Sequence, residues 1–285
     1  MAYLRPMSVE EAVRALAARP PASPLAVLAG GTDHYPARVG PWNDPRAGED
    51  ILDISALGAL RGIAATAEGW RIGALTTWTE VIRADLPPLF DGLKLAAREV
   101  GGPQVQNRGT LGGNLCNASP AADGVPPLLT MDASVELRSA GGARTLALGD
   151  YVLGNRKTAR RADELLAAVI VPRPRGEARG DFLKLGARRY LVISIVMAAG
   201  VIERAAGGTV ASARIAVGAC SAAAQRLGDL ERELCGAKID ADLARRVAPR
   251  HLAVLSPIDD VRGSAEYRRE AALALLRRLL GRLSS

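Results

Sequence analysis

Apolar residues recur along this chain in two periods, and the switches between them mark out the elements. Val9, Ala12, Val13 and Leu16 fall on one helical face, and Ser8 with Glu11 fits a capping box, so a helix is expected over residues 8–19. The proline-rich stretch from Pro20 to Pro24 ends it. Leu25 to Ala29 is a short continuous apolar run, the mark of a buried strand, and it runs straight into Gly30-Gly31-Thr32-Asp33-His34. Residues 36–50 read as a loop, with three prolines and two glycines. Strands are expected at Ile51 to Ile54 and Trp70 to Ala74, a short threonine-capped helix at Thr77 to Ala84, and a longer helix from Leu89 to Val100.

Val135 to Arg138 alternates like a half-buried strand, Gly141-Gly142 turns the chain into Arg144 to Leu146, and Glu164 to Val171 is another apolar run. Prolines at 172 and 174 and a polar loop through Gly180 form the candidate domain boundary. Beyond it come Phe182 to Leu185, strand-like runs at Ile193 to Glu203 and Val210 to Val217, and a helix at Asp240 to Val247. A strong amphipathic helix is expected over 264–283. Its apolar face is read as Tyr267, Ala271, Leu275, Leu276, Leu279 and Leu283, and arginines 268, 269, 277, 278 and 282 are assigned mostly to the opposite, solvated face.

Residues 101–124 fit neither period. Gly101-Gly102-Pro103 opens the stretch, Thr110-Leu111-Gly112-Gly113-Asn114 lies at its centre, and Asn117-Ala118-Ser119-Pro120 and Asp123 follow. It is too rich in glycine and small polar residues for an ordinary helix or core strand, so it reads as a long special loop. Glycine backbone N–H groups, with Thr110, Asn114, Asn117 and Ser119 beside them, suit a phosphate or a polar cofactor. A tight structural connection accounts for the same composition. The earlier Gly30-Gly31-Thr32 has the same two readings, as donors for a pyrophosphate or as a plain turn. His34 fits either contact with a cofactor or packing, and Cys116, inside the same stretch, fits a place near a ligand or, more simply, a packed small residue.

A length of 285 residues allows about two domains. The net charge of +7 comes from dispersed arginines with no aromatic interleaving, so a solvated surface is favoured over nucleic-acid binding. Three widely spaced cysteines exclude a disulfide framework and cannot hold an iron–sulfur cluster of the four-thiolate kind. A reducing, cytoplasmic setting fits, and no apolar run approaches a membrane span. There is no HExxH, no GxSxG, no Walker A and no GxGxxG motif, and His34 and His251 are isolated. No catalytic or metal-ligating residue is therefore nominated. Two glycine-rich segments remain, which suits a protein holding a cofactor that carries the hard chemistry.

Ala29-Gly30-Gly31-Thr32-Asp33 and, about eighty residues later, Thr110-Leu111-Gly112-Gly113-Asn114 closely resemble the FAD-binding subunits of molybdenum hydroxylases, the xanthine dehydrogenase, carbon monoxide dehydrogenase and 4-hydroxybenzoyl-CoA reductase family. The likeness covers nearly the whole chain. Tyr151 to Thr158 with Asp163 to Leu166 resembles the family's entry to the last strand of its flavin domain, and Ser264 to Arg268 resembles its C-terminal helix; this second group is most similar to the xanthine dehydrogenase-like branch. The resemblance implies an α+β fold: a vanillyl-alcohol-oxidase-type (PCMH-type) FAD-binding domain at 1–174, with subdomains at about 1–55 and 56–174, and a smaller α/β domain at 175–285.

By the same resemblance the FAD-binding residues are Leu28, Ala29, Gly30, Gly31, Thr32, Asp33 and His34, then Thr110, Leu111, Gly112, Gly113, Asn114, Ser119 and Asp123, with Leu166 and Lys184 as further contacts. His34 departs from the family, which often has an apolar residue there. Implied partners are a molybdenum-binding large subunit carrying molybdenum-pterin and a small subunit carrying two 2Fe-2S clusters. Electrons would pass through FAD to NAD+ or another acceptor. The alternatives are a self-contained flavin oxidase on the same fold and a nucleotide- or RNA-binding module.

Overall fold

A computed structural model describes residues 2–20, 22–38, 49–189 and 191–285. The helix expected after Ser8 forms as α1 (Val9–Ala17), between strand β1 (Tyr3–Leu4) and strands β2 (Ala26–Leu28) and β3 (Ile51–Asp53). The Ser8 hydroxyl accepts the Glu11 N–H at 3.1 Å, and the Glu11 carboxylate accepts the N–H of Met7 at 2.8 Å, so the returning bond goes one residue upstream of the cap. The three strands pair in parallel, in the order β1-β3-β2. Ala12, Val13 and Leu16 of α1 close over Leu52 and Ile54, and the same core takes in Leu75 and Leu165 of the neighbouring unit. In the expected loop at 36–50, residues Pro36–Arg38 form one 3-10 turn, and 39–48 lie outside the described residues.

Next come β4 (Ile63–Ala65), β5 (Gly69–Gly73), α2 (Trp78–Arg83), α3 (Asp91–Glu99), α4 (Pro103–Gln106), α5 (Leu111–Asn117), α6 (Val125–Thr130), β6 (Ser134–Ser139), β7 (Gly142–Ala147), α7 (Leu148–Tyr151), β8 (Val152–Gly154), β9 (Lys157–Thr158) and β10 (Leu165–Pro172). An antiparallel sheet of order β4-β5-β10-β6-β7 carries this unit, with β8 and β9 as a separate small hairpin. Thr77 caps α2 with a complete capping box. The reading of 101–124 as a long loop is corrected here, because the stretch contains two helices. Thr110 caps α5 by accepting the Gly113 N–H at 3.1 Å, and tertiary packing overrides the low helix propensity of Gly112 and Gly113. A Cβ on Gly112 would lie 2.7 Å from the Ala74 carbonyl oxygen, so only glycine lets α5 sit this close to the end of β5.

The remainder comprises β11 (Glu177–Leu185), β12 (Val196–Arg204), β13 (Val210–Gly218), β14 (Gln225–Arg226), α8 (Gly228–Leu234) and α9 (Ala265–Leu283). The four strands form an antiparallel sheet in chain order. The polar loop expected through Gly180 is shorter than its composition implies, since β11 already starts at Glu177. Gly180 and Gly92 pack backbone to backbone where α3 meets β11, which joins this sheet to the unit before it. Of the helix expected at 240–247, only one 3-10 turn forms, Leu243–Arg246.

The face assignment of α9 needs two corrections. Tyr267 is 45% exposed, whereas Arg268 is 3% exposed and lies inside the molecule. The buried stripe is Ala272, Leu276, Leu279, Leu280 and Leu283, against Ile202 and Ile215 of the sheet. Arg268 is buried because its charge is matched: it donates to the carbonyls of Ile195 at 2.7 Å and Ala219 at 3.0 Å, and to Asp260 at 2.7 Å. Periodicity places a residue on a face, but only the partners supplied by distant loops make burial of an arginine tolerable.

Candidate functional site

Beyond the C-terminal end of β2 the chain makes a tight turn. Gly31 takes φ +76°, a conformation open to glycine, and the Tyr35 N–H donates back to its carbonyl at 3.2 Å. The N–H groups of Gly30, Gly31 and Thr32 donate to no group among the described residues. They form the kind of concavity of backbone donors that receives an anion. A Cβ on Gly30 would fall inside the contact radius of the Arg108 carbonyl oxygen. That glycine is what lets the two glycine-rich segments touch.

The second segment uses its donors differently. The N–H of Leu111 goes to the Thr76 carbonyl at 2.9 Å, that of Gly112 to the Ala74 carbonyl at 2.8 Å, and that of Asn114 to the Thr110 carbonyl at 3.0 Å. With the Gly113 N–H on the Thr110 hydroxyl, these amides are committed to the protein. The anion-binding concavity expected of both segments is therefore confined to the first. α5 contributes a close-packed wall and the side chain of Asn114. The Asn114 Oδ1 is buried with no hydrogen-bond partner among the described residues, and the side chain lines the cavity beside it. An unpaired buried acceptor in a cavity wall fits a ligand that brings a donor.

The cavity between the segments has a volume of about 900 Å³, near the top of the ~300–1,000 Å³ range of small-molecule sites. Of the residues nominated from the sequence, Ala29, Gly30, Gly31, Thr32, Asp33, His34, Thr110, Gly112, Gly113, Asn114, Ser119, Asp123 and Leu166 line it. Three do not. The Leu28 and Leu111 side chains are buried in the core, where apolar side chains next to a backbone site belong. Lys184 stands one layer back and donates to Asp123 at 2.9 Å.

Asp123 joins the two halves of the molecule. Its other oxygen accepts the Ser194 hydroxyl at 3.0 Å, and Lys184 also reaches the Glu99 carbonyl at 3.4 Å. Lys184 lies on β11 and Ser194 just before β12, so the C-terminal half supplies both partners of a residue in the first unit. Burial pushes the Asp123 carboxyl up to about 6, against the opposing pull of Lys184 and the Ser194 hydroxyl. Burial alone would also lift Glu164, but Arg144 at 2.6 Å and the Arg161 backbone N–H at 2.7 Å hold that carboxyl below its ordinary value.

Other wall residues were not nominated from the sequence as cofactor contacts: Cys116, Arg156, Arg160 and the apolar pair Val192 and Ile193. Arg156 lay within a quoted motif, but nothing in the sequence marks Ser194. Cys116 opens onto the cavity yet lies deep among protein atoms, which pushes its thiol upward, and its sulfur is 3.2 Å from the Tyr151 hydroxyl. It is held as a neutral packed thiol rather than a nucleophile. Among the described residues no group of three or more His, Cys, Asp or Glu side chains is placed to hold a metal ion.

The glycine turn, the close-packed helix and the shared cavity together make a site suited to a phosphate-bearing cofactor, and comparison with known proteins gives its class. Residues 1–174 match the family described as the FAD binding domain in molybdopterin dehydrogenase, and residues 181–283 match the CO dehydrogenase flavoprotein C-terminal domain. The chain is 31% identical to the nicotinate dehydrogenase FAD-subunit of Eubacterium barkeri, across 97% of this chain and 94% of that one. It is 30% identical to the xanthine dehydrogenase FAD-binding subunit of Escherichia coli O157:H7, across 93% and 90%. Its fold superposes on a chain of a Cu,Mo carbon monoxide dehydrogenase with a TM-score of 0.88 at 29% identity, covering 100% of this chain and 97% of that one. A chain of quinoline 2-oxidoreductase from Pseudomonas putida 86 gives a TM-score of 0.88 at 27% identity.

This chain belongs to the FAD-binding subunits of the molybdenum hydroxylase family of oxidoreductases, with the PCMH-type flavin domain followed by the family's C-terminal domain. No helix among the described residues is long and apolar enough to cross a membrane.

Proposed function

We propose that this chain is the electron-transferring FAD subunit of a multi-subunit, xanthine dehydrogenase-like molybdenum hydroxylase. A partner subunit with two 2Fe-2S clusters delivers the electrons, a molybdenum-pterin large subunit oxidises the substrate, and NAD+ or another acceptor takes the electrons away. FAD, when bound, supplies a carrier that accepts electrons singly and gives them up in pairs. The chain's own residues bind and orient it. The N–H groups of Gly30, Gly31 and Thr32 would hold the pyrophosphate, Gly112 and Gly113 keep the wall thin, and Asn114 and Asp123 would offer acceptors. In this reading residues 1–174 form the flavin domain, and the remainder closes the cavity from the other side through Lys184 and Ser194.

One observation carries the reading: Gly30 packs on the Arg108 carbonyl, so two segments far apart in sequence become one cavity wall. The test is the visible absorbance of the purified full chain after exposure to FAD, with Gly113→Asp beside it. That change puts bulk and a carboxylate on the cavity wall, where a Cβ already meets the Thr110 hydroxyl oxygen at 2.8 Å. Bound flavin in the native chain and none in the variant is expected. A native chain that takes up no FAD, or a variant that keeps its full content, overturns the assignment. Purification of the tagged chain from its host tests the assembly, with molybdenum and iron expected in the eluate.

A further inference from the structure

Arg156 occupies an unusual place on the cavity wall. It is a non-glycine residue at φ +54°, in the turn between β8 and β9, and its N–H donates at 3.0 Å to the carbonyl of Ala118, itself at φ +47°. Two left-handed residues bonded to each other hold this turn against the C-terminal end of α5. The guanidinium then reaches across both glycine-rich segments: its Nη1 donates to Asn117 Oδ1 at 3.0 Å and lies 3.4 Å from Asp33 Oδ2. Stability does not account for this arrangement. The Asp33 and Arg156 side chains are 54% and 62% exposed, and so open an ion pair contributes little to folding.

The charge balance of the wall gives a better account. Asp33 puts a carboxylate beside the free N–H groups of Gly30, Gly31 and Thr32, where it repels any anion that approaches them. Of the two arginines on the wall, Arg160 turns its Nη1 to the carbonyls of Glu164 at 2.7 Å and Arg161 at 3.2 Å, whereas Arg156 reaches the first glycine-rich segment through Asp33. Arg156, a residue of the cavity wall, makes both of its side-chain contacts through Nη1, and its Nε and Nη2 have no hydrogen-bond partner among the described residues. We infer that Arg156 is a pyrophosphate-binding residue of the cofactor site, neutralising Asp33 and donating charge-assisted hydrogen bonds to the diphosphate held by the first segment. This rests on the FAD reading above.

The test is calorimetric titration of FAD into the FAD-depleted full chain at low and high salt. Arg156→Gln is expected to weaken binding about 10–100-fold, the effect of losing a charged hydrogen-bonding partner, and to flatten the salt dependence. Arg156→Lys recovers part of the loss. Arg156→Gly relieves the left-handed backbone, so its FAD-free form melts no lower than the native chain while its affinity falls as in Arg156→Gln. Adding Asp33→Asn to Arg156→Gln restores affinity, because the repelling carboxylate is gone. Native affinity and salt dependence in Arg156→Gln overturn the inference. So does a loss that Asp33→Asn leaves unrepaired while the FAD-free protein melts lower, since Arg156 is then only a brace. A native chain that binds no FAD overturns the function proposal, and this inference falls with it.

Discussion

The two glycine-rich segments look alike in the sequence and do opposite things in the structure. The first is an open turn in which Gly31 takes a positive φ and neighbouring N–H groups have no partner among the described residues. The second is a helix whose first amides are taken by Thr76, Ala74 and Thr110 of the protein itself, and whose Gly112 serves close packing against Ala74. Glycine confers conformational freedom in one place and absence of bulk in the other. The first segment is therefore built to donate to a ligand, while the second is built to stand near it. The second segment also ends in Asp123, which ties it to the C-terminal half through Lys184 and Ser194.

The contrast is broken most severely at Asp123. Lys184→Met leaves a buried carboxylate without its cation and is expected to cost about 3–5 kcal/mol of stability above neutral pH, measured by denaturant unfolding. The same carboxylate sets a pH dependence. Its folded value of about 6 lies above its ordinary 3.8, so the stability it contributes is fully present below that lower value and is lost as pH rises through about 6. Relative to Asp123→Asn, the native protein is expected to lose about 3 kcal/mol across this window. A difference between the two proteins that does not vary with pH would show that Asp123 is ionised throughout.

A smaller effect is expected at the junction of the segments. Gly30→Ala forces the first turn off the Arg108 carbonyl, costing about 1–3 kcal/mol as an overpacked contact, and it removes bound FAD. Gly112→Ala tests the other use of glycine: it moves α5 away from Ala74 and lowers the melting temperature, but leaves the free donors of the first turn in place, so flavin affinity falls less than in Gly30→Ala. Equal affinity losses in the two variants would erase the distinction. The mildest change is Ser194→Ala, expected to cost about 1 kcal/mol for one hydrogen bond and to raise the Asp123 carboxyl further, which the pH profile of unfolding reads directly.

Local chemistry was legible in the residues. The Ser8 and Thr77 caps, the strand before Gly30 and the hairpin at Gly141-Gly142 follow from side-chain periodicity and hydrogen bonds a few residues apart. The helix at 111–117 was not legible, because Gly-Gly is a poor helix former and only the fit to Ala74 makes it worthwhile. Arg268 was misplaced for a similar reason, since its buried partners come from loops at Ile195, Ala219 and Asp260. Ser194 carries no signal at all until β12 is brought alongside β11.

By itself, then, the sequence determined that this chain suits a polar cofactor and, through its resemblance to a flavin family, which one, because paired motifs and missing nucleophiles are properties of the string. Tertiary structure decided which backbone groups remain free to donate, which residues reach the wall and which stand behind it. Hydrogen-bond donors and buried charges are allotted only once distant segments touch, and in this protein that contact depends on the missing side chain of Gly30.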